Sequence, residues 1–258
     1  LGQIKQTSFI LFVFAIMLVA ATGQAEAQDE AQESLEYKQA VQRGTQAVIW
    51  GMPAVSMMDL RKSAETQLGF TFNDVIYFSE PMVSRHGFLT PNNDVPYVIS
   101  VLNTKDGPVV LDVPPASEKV IYFGSVIDAW QVPVTDVGPE GDDKGKGGKY
   151  LFLPPGYEGE VPEGYIVQRP KTFNLYVGLR PVAVNGGTLE EAVTYAKELK
   201  AYPLSEAENP EPTRYINAFP KTWNTLPQYD MSFFCLLYSS DPADDLTTRC
   251  PRSSAPVR

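Results

Sequence analysis

His86 is the only histidine in the 258-residue chain. A Ser-His-Asp mechanism would have to run through it. It stands in "SRHGF", just ahead of "TPNNDVPYV" (Thr90 to Val98), so His86 and Asp94 could be neighbours. Asp128 is a third candidate. It interrupts an apolar strand pattern beside Trp130, and a buried carboxylate must be paired or hold a raised pKa. These residues define one chemistry: hydrolysis through Asp94 or Asp128, assisted by His86 or a bound metal. There is no G-x-S-x-G elbow. A single histidine does not make the usual catalytic zinc set, and the identity of any metal stays open. No cofactor is expected. The glycine-rich "GPEGDDKGKGGKY" (Gly138 to Tyr150) fails the phosphate-loop pattern, because no Lys-Ser/Thr pair and no helix follow it. It reads as a mobile surface loop, with a lid over a pocket as the alternative.

The same corner supports a second chemistry. Asn and Asp side chains bond back to nearby backbone, and Pro91 and Pro96 push their preceding residues toward extended forms, so "PNNDVP" is a rigid turn on structural grounds. Its functional alternative is a site lined by Asn93, Asp94, Tyr97, Asp128 and Trp130. Such a site would bind a small polar or carbohydrate-like ligand, or a hard cation. Loops at the ends of sandwiches commonly hold such sites.

The elements that position these residues are mainly strands. Hydrophobic residues make up 43% of the chain, enough for one sizeable core or two small ones. The 22 prolines and 19 glycines suit short strands joined by turns. "DVIYFS", "KVIYFGSVIDAW", "KYLFLPPG", "YIVQRP" and "FNLYVGLR" all read as strands. In the last, Phe173, Leu175, Val177 and Leu179 share one face. "YVISVLN" and "PVVLDV" flank Asp106-Gly107, a signal for an antiparallel hairpin. Tyr37, Val41, Val48, Met52 and Val55 recur at helical spacing, with a kink or break expected near Gly51 from Pro53 and a second short helix running on to about Ala64. A later helix is expected over about 188–200, with Thr188 as its N-cap, Glu191 completing a capping box, and Leu189, Val193, Ala196 and Leu199 facing inward. Residues 203–230 read as loop.

Charge and termini bound the setting. A formal charge of -10 disfavours nucleic acid and anionic membrane surfaces. Lys5 followed by "FILFVFAIMLVAA" and "AEA" (Ala25 to Ala27) reads as a signal peptide over residues 1–27, cleaved after Ala27. The expectation is an exported protein, periplasmic or extracellular, with no stable membrane span after cleavage. Export permits disulfides. Cys235 and Cys250 are the only cysteines, and their spacing leaves open whether they pair.

Five segments, "TPNNDVPY", "GPVVLDVPP", "VIDAW", "GGKYLFLPPGYEG" and "FNLYVGLRPV", occur in this order and resemble the family called domain of unknown function 1254. The likeness runs from about Tyr37 to Ser232. Asn93, Asp94, Tyr97, Asp128 and Gly148 fall on its motif positions, and Val95 stands where the family has Thr. The resemblance implies an exported bacterial protein with an N-terminal helical segment and a β-sandwich, usually joined to a C-terminal domain of unknown function 1214. It carries over no activity. After Phe234 the likeness stops, and the rest looks unlike a helix, so the second domain is expected to be absent or truncated.

The resulting expectation is an α+β, mainly β chain. It has a signal peptide (1–27), an N-terminal helical segment (28–67), an antiparallel, jelly-roll-like sandwich (68–232) and a divergent tail (233–258). Three functions remain open: a small-molecule binder, a hydrolase, and an envelope protein acting through homo-oligomeric surfaces.

Overall fold

In the computed structural model, residues 34–239 are described. Residues 1–27, where a signal peptide is expected, Cys250 and the tail beyond Ser239 lie outside them. The described residues fall in two units, one ending at Trp50 and one beginning at Gly51. In the first, residues 34–50 are helical, with Tyr37 and Val41 exposed. The second opens with helical residues 51–63, here α1. The break expected near Gly51 is not there. Pro53 stands inside the helical run, residues 34–63, and supplies no N–H to it, yet the residues on either side stay helical. A single π turn, Ala64–Leu68, ends the helical run, and Gly69 closes it in left-handed geometry, its N–H bonding the Ala64 carbonyl.

Twelve strands follow among the described residues: β1 (Val75–Tyr77), β2 (His86–Gly87), β3 (Val98–Asn103), β4 (Val109–Val113), β5 (Val120–Asp128), β6 (Pro133–Val137), β7 (Gly148–Phe152), β8 (Ile166–Gln168), β9 (Asn174–Ala183), β10 (Lys200–Pro203), β11 (Tyr215–Asn217) and β12 (Trp223–Asn224). They form a six-stranded sheet ordered β11-β1-β3-β9-β5-β6, a four-stranded sheet ordered β10-β4-β7-β8, and the pair β12-β2. Pairing is antiparallel except for β1 with β11, β2 with β12 and β7 with β8. The two larger sheets share one core. Val98, Leu102, Val126, Leu175, Val177 and Leu179 come from one sheet, and Val109, Leu111, Tyr150 and Phe152 from the other. The architecture is the expected α+β, mainly β sandwich.

Three local expectations change. Asp106-Gly107 does not close a hairpin. Its flanking strands belong to different sheets, β3 pairing with β1 and β9, and β4 with β7 and β10. The turn carries the chain across the sandwich, and Gly107 takes a φ of 142° to do so. The later helix, α2 (Leu189–Ala196), has its capping box, Glu191 N–H to Thr188 Oγ1 at 3.2 Å and Thr188 N–H to Glu191 Oε2 at 2.7 Å. It stops at Ala196, because Lys200 begins β10. Its inward face is Ala192, Tyr195 and Ala196, while Leu189 is exposed. Finally, "CLLYS" is helical as part of α3 (Met231–Ser239), whose Phe233 is buried. Among the described residues, no helix is long and apolar enough to cross a membrane.

Candidate functional site

β9 positions the site. In a strand, alternate residues face opposite ways. Leu175, Val177 and Leu179 enter the sandwich core, so Tyr176, Gly178 and Arg180 turn to the other face of the six-stranded sheet. Register sets Ile99 and Ser125 on either side of Gly178, and Val101 and Ile127 on either side of Tyr176. A second core covers part of this face, with Ala64, Leu68 and Phe70 packing toward Phe78 and Trp223. Ser63 Oγ accepts the Trp223 indole N–H at 2.9 Å, which ties the π turn to β12.

Beside this core the face opens into a groove of about 370 Å³, within the ~300–1,000 Å³ typical of small-molecule sites. Met57 and Leu60 of α1 form one wall, with Phe88 and Tyr97 at its side. The floor is Ile99, Ile127 and Tyr176 around bare Gly178. Gly178 is not glycine for lack of room: a Cβ there would meet nothing nearer than the Ser125 carbonyl at 4.0 Å. Gly124, also in the lining, is the opposite case. Its φ is 156°, and a Cβ would stand 2.2 Å from the Gly178 carbonyl.

Arg180 is the one charged residue in the lining. Its guanidinium lies 5.0 Å from the Tyr97 ring centroid, a cation–π contact, and its Nη2 donates to the Tyr97 oxygen at 3.2 Å. That oxygen also accepts the Asn92 N–H at 3.3 Å. Burial pushes the Tyr176 phenol well above its usual pKa, so it stays neutral.

Of the residues singled out from the sequence, Tyr97 alone lines this groove. Asn93 and Asp94 are exposed. The Asp94 N–H bonds Asn92 Oδ1 at 2.6 Å, a local turn bond. Asp128 is buried, and its Oδ1 accepts the N–H groups of Trp130 at 2.8 Å and Val132 at 2.9 Å. It thus closes the β5–β6 turn, in which Gln131 takes a φ of 61°. Trp130 is half-buried in that turn. His86 is buried with both ring nitrogens engaged: Nδ1 accepts the Val83 N–H at 3.0 Å, which leaves the proton on Nε2 to be donated to the Phe219 carbonyl at 3.1 Å. Gly148 begins β7 and pairs with Val113 of β4. Among the described residues, no group of three or more His, Cys, Asp or Glu is placed to hold a metal ion.

The glycine-rich segment is neither loose nor at the groove. It wraps on Asp143, which is buried and accepts the N–H groups of Gly138 at 2.8 Å and Gly147 at 3.2 Å. Asp142 accepts from the Thr135 hydroxyl at 2.8 Å and the Gln168 amide at 2.7 Å. Sequence reading missed Arg180, Gly178 and the α1 wall. The available signal was Gly178, a lone glycine in an otherwise alternating strand, which marks a bulge or the close approach of another group.

Fold and groove together define a mainly β, α+β sandwich with a helix-walled cleft on the outer face of its larger sheet. The chain belongs to the family described as "Protein of unknown function (DUF1254)", whose model matches residues 72–203. Among curated proteins none matches. Among solved structures, the VPA0106 protein from Vibrio parahaemolyticus is similar, with a TM-score of 0.53 at 19% identity, over 74% of this chain and 44% of that one. That likeness is one of fold, and this chain spans less than half the length of the Vibrio protein. An uncharacterized protein from Burkholderia cenocepacia aligns with a TM-score of 0.28 at 12% identity, over 57% of this chain and 48% of that one.

Proposed function

We propose that this protein binds a small molecule in the groove between α1 and the outer face of the six-stranded sheet, and that it does so as an exported protein. One observation carries the reading. Gly178 leaves a bare floor at the centre of the groove, although its backbone and surroundings would accept a side chain. A glycine inside a strand costs roughly 0.5–1 kcal/mol relative to alanine. Keeping it where nothing crowds it has a simple use, which is to keep the groove open.

The hydrolase alternative has less support. His86 spends both nitrogens on backbone, and Asp128 spends Oδ1 on its own turn. A general base must reach the proton it removes, and neither group faces the groove lining. Support for binding comes from the groove rather than from the Asn93–Asp94 corner. Export rests on the apolar leader pattern within residues 1–27.

The test is a thermal-shift screen of small molecules on the full chain and on Gly178→Val. Bound ligand raises melting by mass action. A compound that stabilises the parent chain and not Gly178→Val supports the groove. If every stabilising compound acts equally on both proteins, the groove is not the site.

A further inference from the structure

We infer that the molecule held in this groove is an amphipathic anion, an apolar body ending in a carboxylate, with the carboxylate at Arg180 and Tyr97. This rests on the reading of the groove as a binding site and names the ligand class.

The lining divides into two chemistries. Met57, Leu60, Phe88, Ile99, Ile127 and Tyr176 offer carbon surface to a ligand body. At the other end stand Arg180 of β9 and Tyr97, the residue just before β3, side by side. Their hydrogen bonds leave an imbalance of one kind. The Tyr97 oxygen accepts twice, from Arg180 Nη2 and from the Asn92 N–H, and its own O–H proton has no acceptor among the described residues. Arg180 gives one hydrogen to Tyr97, and no carboxylate among the described residues pairs with it. A guanidinium has five N–H donors and no acceptor. The hydroxyl of Ser125, also in the lining, already donates to Asp136 Oδ1 at 2.6 Å. The spare polar hydrogens at this end are therefore donors, and the lining itself holds no carboxylate; Asp136, bonded to Ser125, stands outside it. A planar carboxylate fits a guanidinium fork two bonds at a time and can take the Tyr97 hydrogen on the same oxygens.

The geometry also favours a fixed cation. The Tyr97 ring centroid lies 5.0 Å from the guanidinium carbon in a cation–π contact, and the Asn92 N–H holds the Tyr97 hydroxyl. A preorganised donor pair loses less freedom on binding than a free side chain would. In a chain of net charge -10, an arginine without a carboxylate partner beside an apolar groove is a local reversal of sign, of the kind that selects an anionic ligand.

Octanoate and octanol separate the two claims, because they share a body and differ in charge. Titration calorimetry on the full chain should show octanoate binding more tightly than octanol. Arg180→Gln should weaken octanoate roughly tenfold or more and leave octanol within about twofold. Arg180→Lys should recover part of the loss, since it restores charge but not the fork. Gly178→Val, which puts a branched side chain on the floor, should lose both ligands while melting no lower than the parent chain. Equal binding of octanoate and octanol, unchanged by Arg180→Gln, would overturn the anion assignment and leave the groove standing. Failure of both ligands to bind, or binding of both undiminished in Gly178→Val, would overturn the groove itself.

Discussion

Tyr150 and Asp143 bond each other in both directions. The Tyr150 hydroxyl donates to Asp143 Oδ1 at 2.9 Å, and the Asp143 N–H donates to the Tyr150 oxygen at 3.1 Å. The pair fastens the glycine-rich segment to β7, and Gly138 and Gly147 complete the shell of the carboxylate. Tyr150→Phe keeps the ring in the sandwich core and strands a buried N–H. It should cost roughly 1–3 kcal/mol by urea unfolding. No loss beyond error would mean the segment does not depend on its bonds to Tyr150.

His86 gives a prediction that separates structure from catalysis. Its ring bridges Val83 and Phe219 and packs edge-on against Phe78, with centroids 5.2 Å apart. His86→Leu would strand the part-buried Val83 N–H, while the Phe219 carbonyl keeps its bonds from Arg85, and would lose the ring's polar contacts in the core, at a cost of about 1 kcal/mol or more. The urea midpoint should fall accordingly. A variant as stable as the parent would show that the fold does not need His86 and would leave it free for the hydrolytic alternative.

Arg214 joins the start of β11 to the start of β1. Its Nε donates to Asp74 Oδ1 at 3.1 Å, its Nη2 bonds Asp74 Oδ2, and the same Nη2 donates to the Gly69 carbonyl at 2.6 Å. Asp74 is buried, whereas the arginine side chain is about half exposed (52%). Solvent screens the pair, so Arg214→Ala should cost about 1–3 kcal/mol rather than the full price of an uncompensated buried charge. Arg214→Lys should not restore the loss, because one ammonium cannot reproduce the fork. Equal stability of the lysine variant and the parent would show that charge alone holds the two strands.

Asp59 works against the fold at neutral pH. Desolvation raises its pKa, opposed by Lys62 and by a bond from the Gln228 backbone, and its Oδ2 is buried with no partner among the described residues. A raised folded pKa means that the stability tied to this group is full below the unfolded value, ~3.9, and is lost as pH rises through the folded one. Asp59→Asn should therefore melt higher than the parent at pH 7 and show no such gain near pH 3. A variant less stable at pH 7 would mean that the ionised carboxylate is needed there.

Legibility in the sequence followed the range of the interaction. The β9 alternation and the Thr188–Glu191 capping box were readable because each is settled within a few residues. Asp106-Gly107 misled because a turn signal is local, while the strand that β3 chooses, β9, lies about seventy residues away. β11 and β12 have three and two residues, too few for any period to show. The glycine-rich segment looked loose because the burial of Asp143 depends on Tyr150 and on turns that composition does not encode. Arg180 was hidden for a similar reason. Its meaning comes from Tyr97 across the sheet and from the gap at Gly178, neither of which is visible along β9 alone.

The buried tyrosines predict how the sandwich fails in alkali. Burial raises the phenols of Tyr122, Tyr150, Tyr176, Tyr195 and Tyr215, and pushes Tyr202 up to about 12 with the Asp112 carboxylate adding to it. In the unfolded chain each would ionise near ~10. The folded state therefore holds these protons to higher pH than the unfolded state does. The stability they contribute is complete below pH ~10 and drains as pH climbs toward the folded values. Thermal melts should hold steady up to about pH 10 and fall steeply above it, with circular dichroism and phenolate absorbance changing together because the phenols ionise as the core opens. Tyr122→Phe removes one such group, whose hydroxyl reaches the Tyr195 and Ala196 carbonyls only at 3.4 Å, and should shift the alkaline transition upward. Phenolate signal that titrates fully near pH 10 while the dichroism stays native would show the tyrosines to be open to solvent, and would rule out this account of the core.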